Sequence, residues 1–158
     1  SQYIKKMELS KLSKIIEKYL NDMDWKSPSN EWTLKLTILL KDSMILLKDA
    51  VNLSEPFFSL PTIQKEGKDF LENEESKTSL NFILNLLKEK KITKLDKNNA
   101  KELINKVSKE HSIKKGIVMK SLRIAFFGCL NGPDLIQSWE LFSENKSDVL
   151  RIERCFSS

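Results

Sequence analysis

The sequence is poor in the residues from which most enzyme active sites are built. It has four glycines, two cysteines and a single histidine, His111. So few glycines, none of them in a Gly-rich phosphate-binding motif, and a lone histidine argue against a nucleotide loop, a zinc cage or a Ser–His–Asp triad. Cys129 and Cys155 cannot form a disulfide framework, which favours a reducing compartment, the cytoplasm. We therefore expect neither catalytic residues nor a metal site in this chain.

Long apolar runs are also missing. None approaches the roughly 18 residues that a membrane-spanning helix needs, so no membrane contact is expected. The first residues, SQYIKKMELS, carry no signal-peptide pattern. They also lack an initiator methionine, and we expect the sequence to be a fragment of a longer chain.

The charge balance is moderately basic. With 27 lysines and arginines against 22 acidic residues, the net charge is +5 and the pI is near 9.1. Such an excess fits either a surface that faces a polyanion or well-solvated lysine-rich helices. Arginine is scarce: only Arg123, Arg151 and Arg154 occur. Because arginine is the better bidentate partner for bases and phosphates, Arg123, which lies inside an apolar run, stands out.

Apolar residues recur at three- and four-residue spacing along most of the chain, and no stretch alternates as a strand does. The pattern predicts an all-α fold. Residues 54–76 are looser and contain Pro56, Pro61 and Gly67, so we place a subdomain boundary there that divides the chain into 1–60 and 61–158. The predicted helices cover 9–23, two helices within 31–53 that meet near 41–43, a short helix at 63–71, and then helices from near Ser76, from Asp96, at 115–127, at 133–142 and from Ser147 to 156.

The stretch 116–135, GIVMKSLRIAFFGCLNGPDL, combines a helix that carries Arg123 with a corner at 129–132 and a helix restart at Pro133. The backbone N–H groups of the restart can dock an anion or a base edge, and Leu135 would project beside them as an apolar knob. Single-stranded RNA is recognised through such stacking and edge contacts. Phosphate contacts from neighbouring turns are expected of Lys114, Lys115 and Lys120. From the residues alone, however, a purely structural corner, with Gly128 as C-cap and Pro133 as the first helical residue, is the favoured interpretation.

The same stretch resembles the C-terminal anticodon-binding region of bacterial-type glutamyl-tRNA synthetases. That family has a Gly-x-Val-Met-x-Pro-Leu-Arg-x-Ala-Leu-Thr-Gly run and then a Gly-Pro-x-Leu helix start, which resemble 116–128 and 132–135 here. Gln2-Tyr3-Ile4 resembles the Asn-x-x-Tyr-Ile segment of the family, and 46–49 resembles its Thr-Leu-Lys-Glu turn ahead of an aromatic pair, here Phe57-Phe58. The resemblance covers essentially the whole chain.

The resemblance implies a two-subdomain helical cage that grips the anticodon loop of tRNA(Glu). The parent class I ligase would use ATP and Mg²⁺ in an N-terminal domain that this sequence lacks, and would act as a monomer. By the same resemblance, Arg123 contacts the first two anticodon bases, Pro133 and Leu135 line that pocket, and Gly132 lies beside them. An alternative of another class is a helical protein-interaction module that presents a lysine-rich face to an acidic partner.

The chain departs from the family pattern at several positions. Ser121 replaces the usual proline, and Phe126-Phe127 replace Leu-Thr. Ser43 stands where discriminating members carry an arginine that reads the third anticodon base. The resemblance therefore predicts a non-discriminating enzyme, which attaches glutamate to both tRNA(Glu) and tRNA(Gln).

Overall fold

The computed structural model describes Ile4, residues 7–89, Ile92 and residues 94–157. In these residues all regular secondary structure is helical, which confirms the all-α prediction. Residues 2 and 3 of the Gln2-Tyr3-Ile4 segment lie outside them. No helix in the described part is both long enough and apolar enough to cross a membrane. The chain divides into two units, Ser1–Ser59 and Leu60–Ser158.

The first unit is built on two packed helices, α1 (Leu9–Asp22) and α2 (Asn30–Leu40). A 3₁₀ turn at Lys41–Ser43 follows α2, and the short α3 (Asp49–Ser54) leads into a second 3₁₀ turn at Glu55–Phe57. The predicted break near 41–43 is thus confirmed, but the two helices do not meet there, since the next helix begins only at Asp49. The core residues of α1 and α2 recur four apart, so each helix turns one face inward: Leu12, Ile16 and Leu20, and Trp32, Leu36 and Leu40.

Aromatic side chains close the end of the first unit. Phe57 is buried, and the Phe58 ring stacks on Trp25 with the centroids 5.2 Å apart. The Phe58 ring also meets Trp32 edge-on at 5.4 Å. The Ser29 hydroxyl caps α2 by accepting the Trp32 N–H at 3.1 Å, which holds this cluster at the helix start.

The second unit surrounds one central helix, α7 (Lys115–Phe127). Helices α4, α5, α6, α8 and α9 all pack on α7. From Ser121 to Phe127 every residue of α7 except Arg123 is buried, as expected for a helix with neighbours on nearly all sides. The other elements are α4 (Lys65–Leu71), α5 (Glu74–Lys88), α6 (Lys97–His111), α8 (Leu135–Glu144), α9 (Ser147–Glu153) and a 3₁₀ turn at Arg154–Phe156.

In the second unit, two helix starts that were predicted from a capping serine or a first-turn proline were wrong. Helix α8 begins at Leu135, not at Pro133, because the Asp134 carboxylate accepts the Gln137 N–H at 3.0 Å and caps the helix itself. Helix α5 begins at Glu74, so Ser76 lies inside it rather than capping it. The buried Ser76 hydroxyl instead forms a 2.7 Å hydrogen bond with Ser121 of α7.

That hydrogen bond gives a structural account of Ser121, where the resembled family has proline. The Ser121 hydroxyl donates to the carbonyl of Ile117 at 2.7 Å, so Ser76 is the donor to Ser121. Both hydroxyls are buried and neither is left unpaired. The serine therefore joins α5 to α7 and lets α7 run without a break through this position.

Candidate nucleic-acid interface

Gly128 ends α7 and turns the chain into the corner. It has φ = 78°, in the left-handed region that favours glycine, and its N–H donates to the Ile124 carbonyl at 2.8 Å. A Cβ at this position would lie 2.9 Å from the carbonyl carbon of Thr62 and closer still to its oxygen. The predicted C-cap is confirmed, and the close approach of residue 62 is a second reason why no side chain fits.

Gly132 closes the corner at φ = 148°. A Cβ there would meet the Phe127 ring at 2.9 Å, so the corner backbone lies directly on the last side chain of α7. Within the corner, the Cys129 thiol donates to the Asn131 carbonyl at 3.4 Å. The two glycines thus allow five residues to reverse the chain without opening a gap beneath them.

Arg123 clamps the corner from its position on α7. Its Nη1 donates to the carbonyl of Pro133 at 2.9 Å and, more weakly, to that of Gly132 at 3.4 Å. The side chain is partly exposed, as is Pro133, while Gly132 is exposed. Among the described residues, Nε and Nη2 of Arg123 have no acceptor. The structure thus brings Arg123, Gly132 and Pro133 together at one surface corner.

The remaining residue expected there, Leu135, is not at the surface. It is only 1% exposed and forms part of the core of the second unit. The prediction of a projecting apolar knob was wrong, because Leu135 shares one face of α8 with the buried Trp139 and Phe142. Leu135 supports the corner from within.

The two other arginines act on the same part of the molecule, which the sequence did not reveal. Arg151 donates from Nη1 to the Phe126 carbonyl at 2.7 Å, with its guanidinium 4.1 Å from the centre of the Phe142 ring. Arg154 donates from Nε and Nη2 to the Ala125 carbonyl, at 3.3 and 3.1 Å, and from Nη1 to the Pro61 carbonyl. The last carbonyls of a helix lack intrahelical partners and carry its negative pole. All three arginines of the chain therefore hold the end of α7 or the corner after it.

Burial alters the electrostatics of this support. It lowers the pKa of Arg151 to about 10 and also lowers the pKa of Arg154. Burial raises the pKa of the Asp148 carboxyl, which accepts the Trp139 indole N–H at 3.2 Å and the Val149 N–H at 2.9 Å. Both arginines stay charged at neutral pH, so their hydrogen bonds to the carbonyls are charge-assisted.

Ser43 lies in the first unit, as the exposed last residue of the 3₁₀ turn at Lys41–Ser43. The backbone just after it is fixed by Asp49, whose Oδ2 accepts the N–H groups of Ile45 at 3.0 Å and Leu46 at 2.8 Å. These two hydrogen bonds are the main cause of a lowered Asp49 pKa. The turn holds Ile45 outward, 69% exposed. Ser43 is thus presented at the surface beside an ordered turn.

Lys114, Lys115 and Lys120 are exposed around the start of α7. In the described part of the chain, none of these three lysines forms an ion pair. Lys115 and Lys120 lie on the same helix as Arg123 and Lys114 directly precedes that helix, and their positive charges are available to an external anion.

Comparison with known proteins gives one consistent family. Residues 10–155 match the family model of the anticodon binding domain. A glutamate–tRNA ligase of Prochlorococcus marinus strain MIT 9312 is 66% identical over 158 residues, all of this chain and 33% of that protein. The corresponding ligase of strain NATL2A is 42% identical over 154 residues, 98% of this chain and 32% of that protein. The chain thus spans about a third of the length of these relatives, and it corresponds to their C-terminal part.

Solved structures show the same fold. A glutamate tRNA ligase from Elizabethkingia meningosepticum CCUG26117 superposes with a TM-score of 0.84 at 23% identity, over 99% of this chain and 30% of that chain. The glutamate-tRNA synthetase from Elizabethkingia anophelis gives 0.80 at 22% identity, with the same coverage. These likenesses and the family match confirm the resemblance inferred from residues 116–135. The chain belongs to the anticodon-binding domain family.

Proposed function

We propose that this chain is the anticodon-binding region of a glutamate–tRNA ligase, and that the corner held by Arg123 receives bases of the anticodon loop of tRNA(Glu). The observation that carries the proposal is the geometry of Arg123. Its Nη1 is engaged by the carbonyls of Pro133 and Gly132, so the guanidinium is held in place at a partly exposed surface. A guanidinium oriented in this way is preorganised for binding a planar partner.

The corner is better suited to a base edge than to a phosphate. Asp134 already occupies the start of α8 with a carboxylate that caps the Gln137 N–H. A phosphate at the same helix start would meet that negative charge, whereas the base edges of an open loop offer neutral oxygen and nitrogen acceptors. Nε and Nη2 of Arg123 could donate to such acceptors, and a good bidentate pair discriminates against the wrong base by about 1–3 kcal/mol.

The test is the binding of an anticodon stem-loop of tRNA(Glu) to the protein and to two variants of Arg123. Arg123→Ala should weaken binding by about tenfold or more, because the base contact and the clamp are both lost. Arg123→Lys keeps the charge but not the planar fork, so the salt dependence should persist while the preference for the correct anticodon declines. Lys68→Ala, an exposed lysine on α4, is the control for loss of one charge. Unchanged affinity in Arg123→Ala, with tight binding of a protein partner instead, would favour the alternative of a protein-interaction module.

The remaining parts of the proposal concern the whole enzyme. The Ser43 surface belongs to the first subdomain, 1–60, and the Arg123 corner to the second, 61–158. Activation of glutamate with ATP and Mg²⁺ is placed in the part that precedes this chain, since the chain covers only about a third of its relatives. We place the enzyme in the cytoplasm as a monomer. Because Ser43 offers one small hydroxyl where a discriminating enzyme has arginine, we include tRNA(Gln) among its substrates.

A further inference from the structure

One segment of this chain is strongly basic. Residues 94–120 contain eight lysines and three carboxylates, which gives +5. That equals the net charge of the whole chain, so all other residues together are neutral at pH 7. The segment includes α6 and the first half of α7, and its lysines are exposed. The rest of the chain also has a basic stretch, residues 5–18 at +3, which acidic residues elsewhere offset.

On α6 the charged residues differ between the two edges of the exposed face. Glu102, Lys106 and Glu110 follow one another four residues apart and alternate in sign along one edge of the exposed face. Glu102 and Lys106 line a groove together with residues of α5, which locates that edge. The other edge carries a row that we name the lysine stripe, also spaced four residues apart: Lys97, Lys101, Asn105 and Lys109. No carboxylate of α6 lies in the lysine stripe.

The stability of α6 does not explain the first two lysines of the lysine stripe. Lys97 is the first helical residue, at the positive pole of the helix dipole, and the first turn contains no acidic residue. Lys97 and Lys101 are like charges one turn apart, an arrangement that disfavours the helix. Among the described residues, no carboxylate forms an ion pair with Lys97, Lys101 or Lys109. Lys97 and Lys101 are therefore placed against the preferences of their own helix, which suits an anion from outside, whereas Lys109 lies in the last turn, where the helix dipole favours a cation.

We propose that the lysine stripe binds the phosphate backbone of the tRNA, as a surface additional to the base-reading corner at Arg123. This inference rests on the proposed function. Four helical residues rise about 6 Å, so Lys97, Lys101 and Lys109 place three positive charges about 6 and 12 Å apart, over about 18 Å of the helix axis. An RNA strand carries a negative charge on every phosphate along its length. Because phosphates are alike in every nucleotide, the stripe adds affinity and fixes the position of the RNA, and it leaves the choice of anticodon to the corner.

The experiment uses the full-length protein and a tRNA(Glu) transcript, with the dissociation constant measured over a series of salt concentrations. The stripe variant is Lys97→Gln, Lys101→Gln and Lys109→Gln combined. A matched control, Lys11→Gln, Lys14→Gln and Lys18→Gln combined, removes the same charge from exposed positions of α1. Each phosphate contact contributes about 0.7–0.9 to the logarithmic salt slope, so the stripe variant should lose about two units and the control less than one.

Two further readouts separate RNA binding from a structural role and from the proposed function. The stripe variant should melt at about the same temperature as the wild type, because the gain from removing Lys97 offsets the loss from removing Lys109, and its preference for the correct anticodon should be unchanged. The inference is overturned if the stripe variant keeps the wild-type salt slope, or if both triple variants lose equal amounts. A different result would show that the proposed function is wrong: Arg123→Ala would then leave anticodon preference and affinity unaltered, whether or not the stripe variant changes the salt slope.

Discussion

Replacing Gly128 by alanine tests whether the corner depends on the contacts described for it. The added Cβ would lie 2.9 Å from the carbonyl carbon of Thr62 and 3.3 Å from the Cα of Ile63, both backbone atoms that cannot rotate away. The left-handed φ of 78° costs a non-glycine residue about 1–2 kcal/mol. Shifting backbone to relieve the overlap adds about 1–3 kcal/mol. We expect Gly128→Ala to lower the free energy of unfolding by about 2–5 kcal/mol in total.

The assay is thermal and urea denaturation of the variant, and Gly116→Ala is the control. Gly116 also lies in α7, but an added Cβ there meets nothing within 4 Å, and an alanine in a helix is favoured over glycine by about 1 kcal/mol. The same chemical change should therefore destabilise at 128 and stabilise at 116. For a unit of this size the loss at 128 corresponds to a melting temperature lower by about 10 °C or more. A loss below about 1 kcal/mol would refute the close packing of the corner.

Two further predictions concern Ser43 and Asp148. In the full-length enzyme, Ser43→Arg should reduce glutamylation of tRNA(Gln) by about tenfold or more, while glutamylation of tRNA(Glu) persists. The reason is that a bidentate base contact discriminates by about 1–3 kcal/mol. Equal glutamylation of tRNA(Gln) before and after the change would contradict the role assigned to position 43. For Asp148, burial raises the folded-state pKa above the 3.8 of the exposed group, so the folded state binds the extra proton. Its contribution to stability is then fully present below pH 3.8 and is lost as pH rises through the folded pKa. The melting temperature of the wild type minus that of Asp148→Asn should accordingly decrease from acid to neutral pH. A difference that does not change with pH would contradict the raised pKa of Asp148.

The end of α7 shows what local sequence can predict. The bounds 115–127 were predicted correctly because an apolar helical period stops at a glycine, and Gly128 indeed ends the helix in the left-handed region. The start of α8 was misplaced because Pro133 and Asp134 are both signals of a helix start. The side-chain hydrogen bond of Asp134 makes it the capping residue, and this hydrogen bond cannot be inferred from the residue pattern.

The supporting contacts of the site could not be predicted because they join distant parts of the sequence. Arg151 bonds to a carbonyl 25 residues away, and Arg154 to carbonyls 29 and 93 residues away. Hydrophobic periodicity reports which face of a helix is inside but not which carbonyl a buried arginine reaches. The scarcity of arginine is the available signal in the sequence, but the surrounding apolar run draws attention to Arg123 alone. The burial of Leu135, by contrast, follows from the helical period that it shares with Trp139 and Phe142.

These contacts explain why the corner can act as a rigid site. Arg154 and Arg151 satisfy carbonyls of the last turn of α7, Gly128 brings that turn against residue 62, and Arg123 holds the corner from its other side. A binding group that is held by such contacts loses little conformational entropy when its partner binds. We infer that substitutions of Arg151 or Arg154 act on RNA binding through the position of Arg123.

The most direct test of the central claim is a double-mutant cycle between Arg123 and the anticodon. Binding is measured for wild type and Arg123→Ala, each with the tRNA(Glu) stem-loop and with stem-loops changed at the first or the second anticodon base. If Arg123 reads those bases, the two changes should be non-additive, with a coupling energy of about 1–3 kcal/mol at one or both of these positions. If Arg123 only clamps the corner, the effects should add and the coupling energy should be about zero, which would contradict the account.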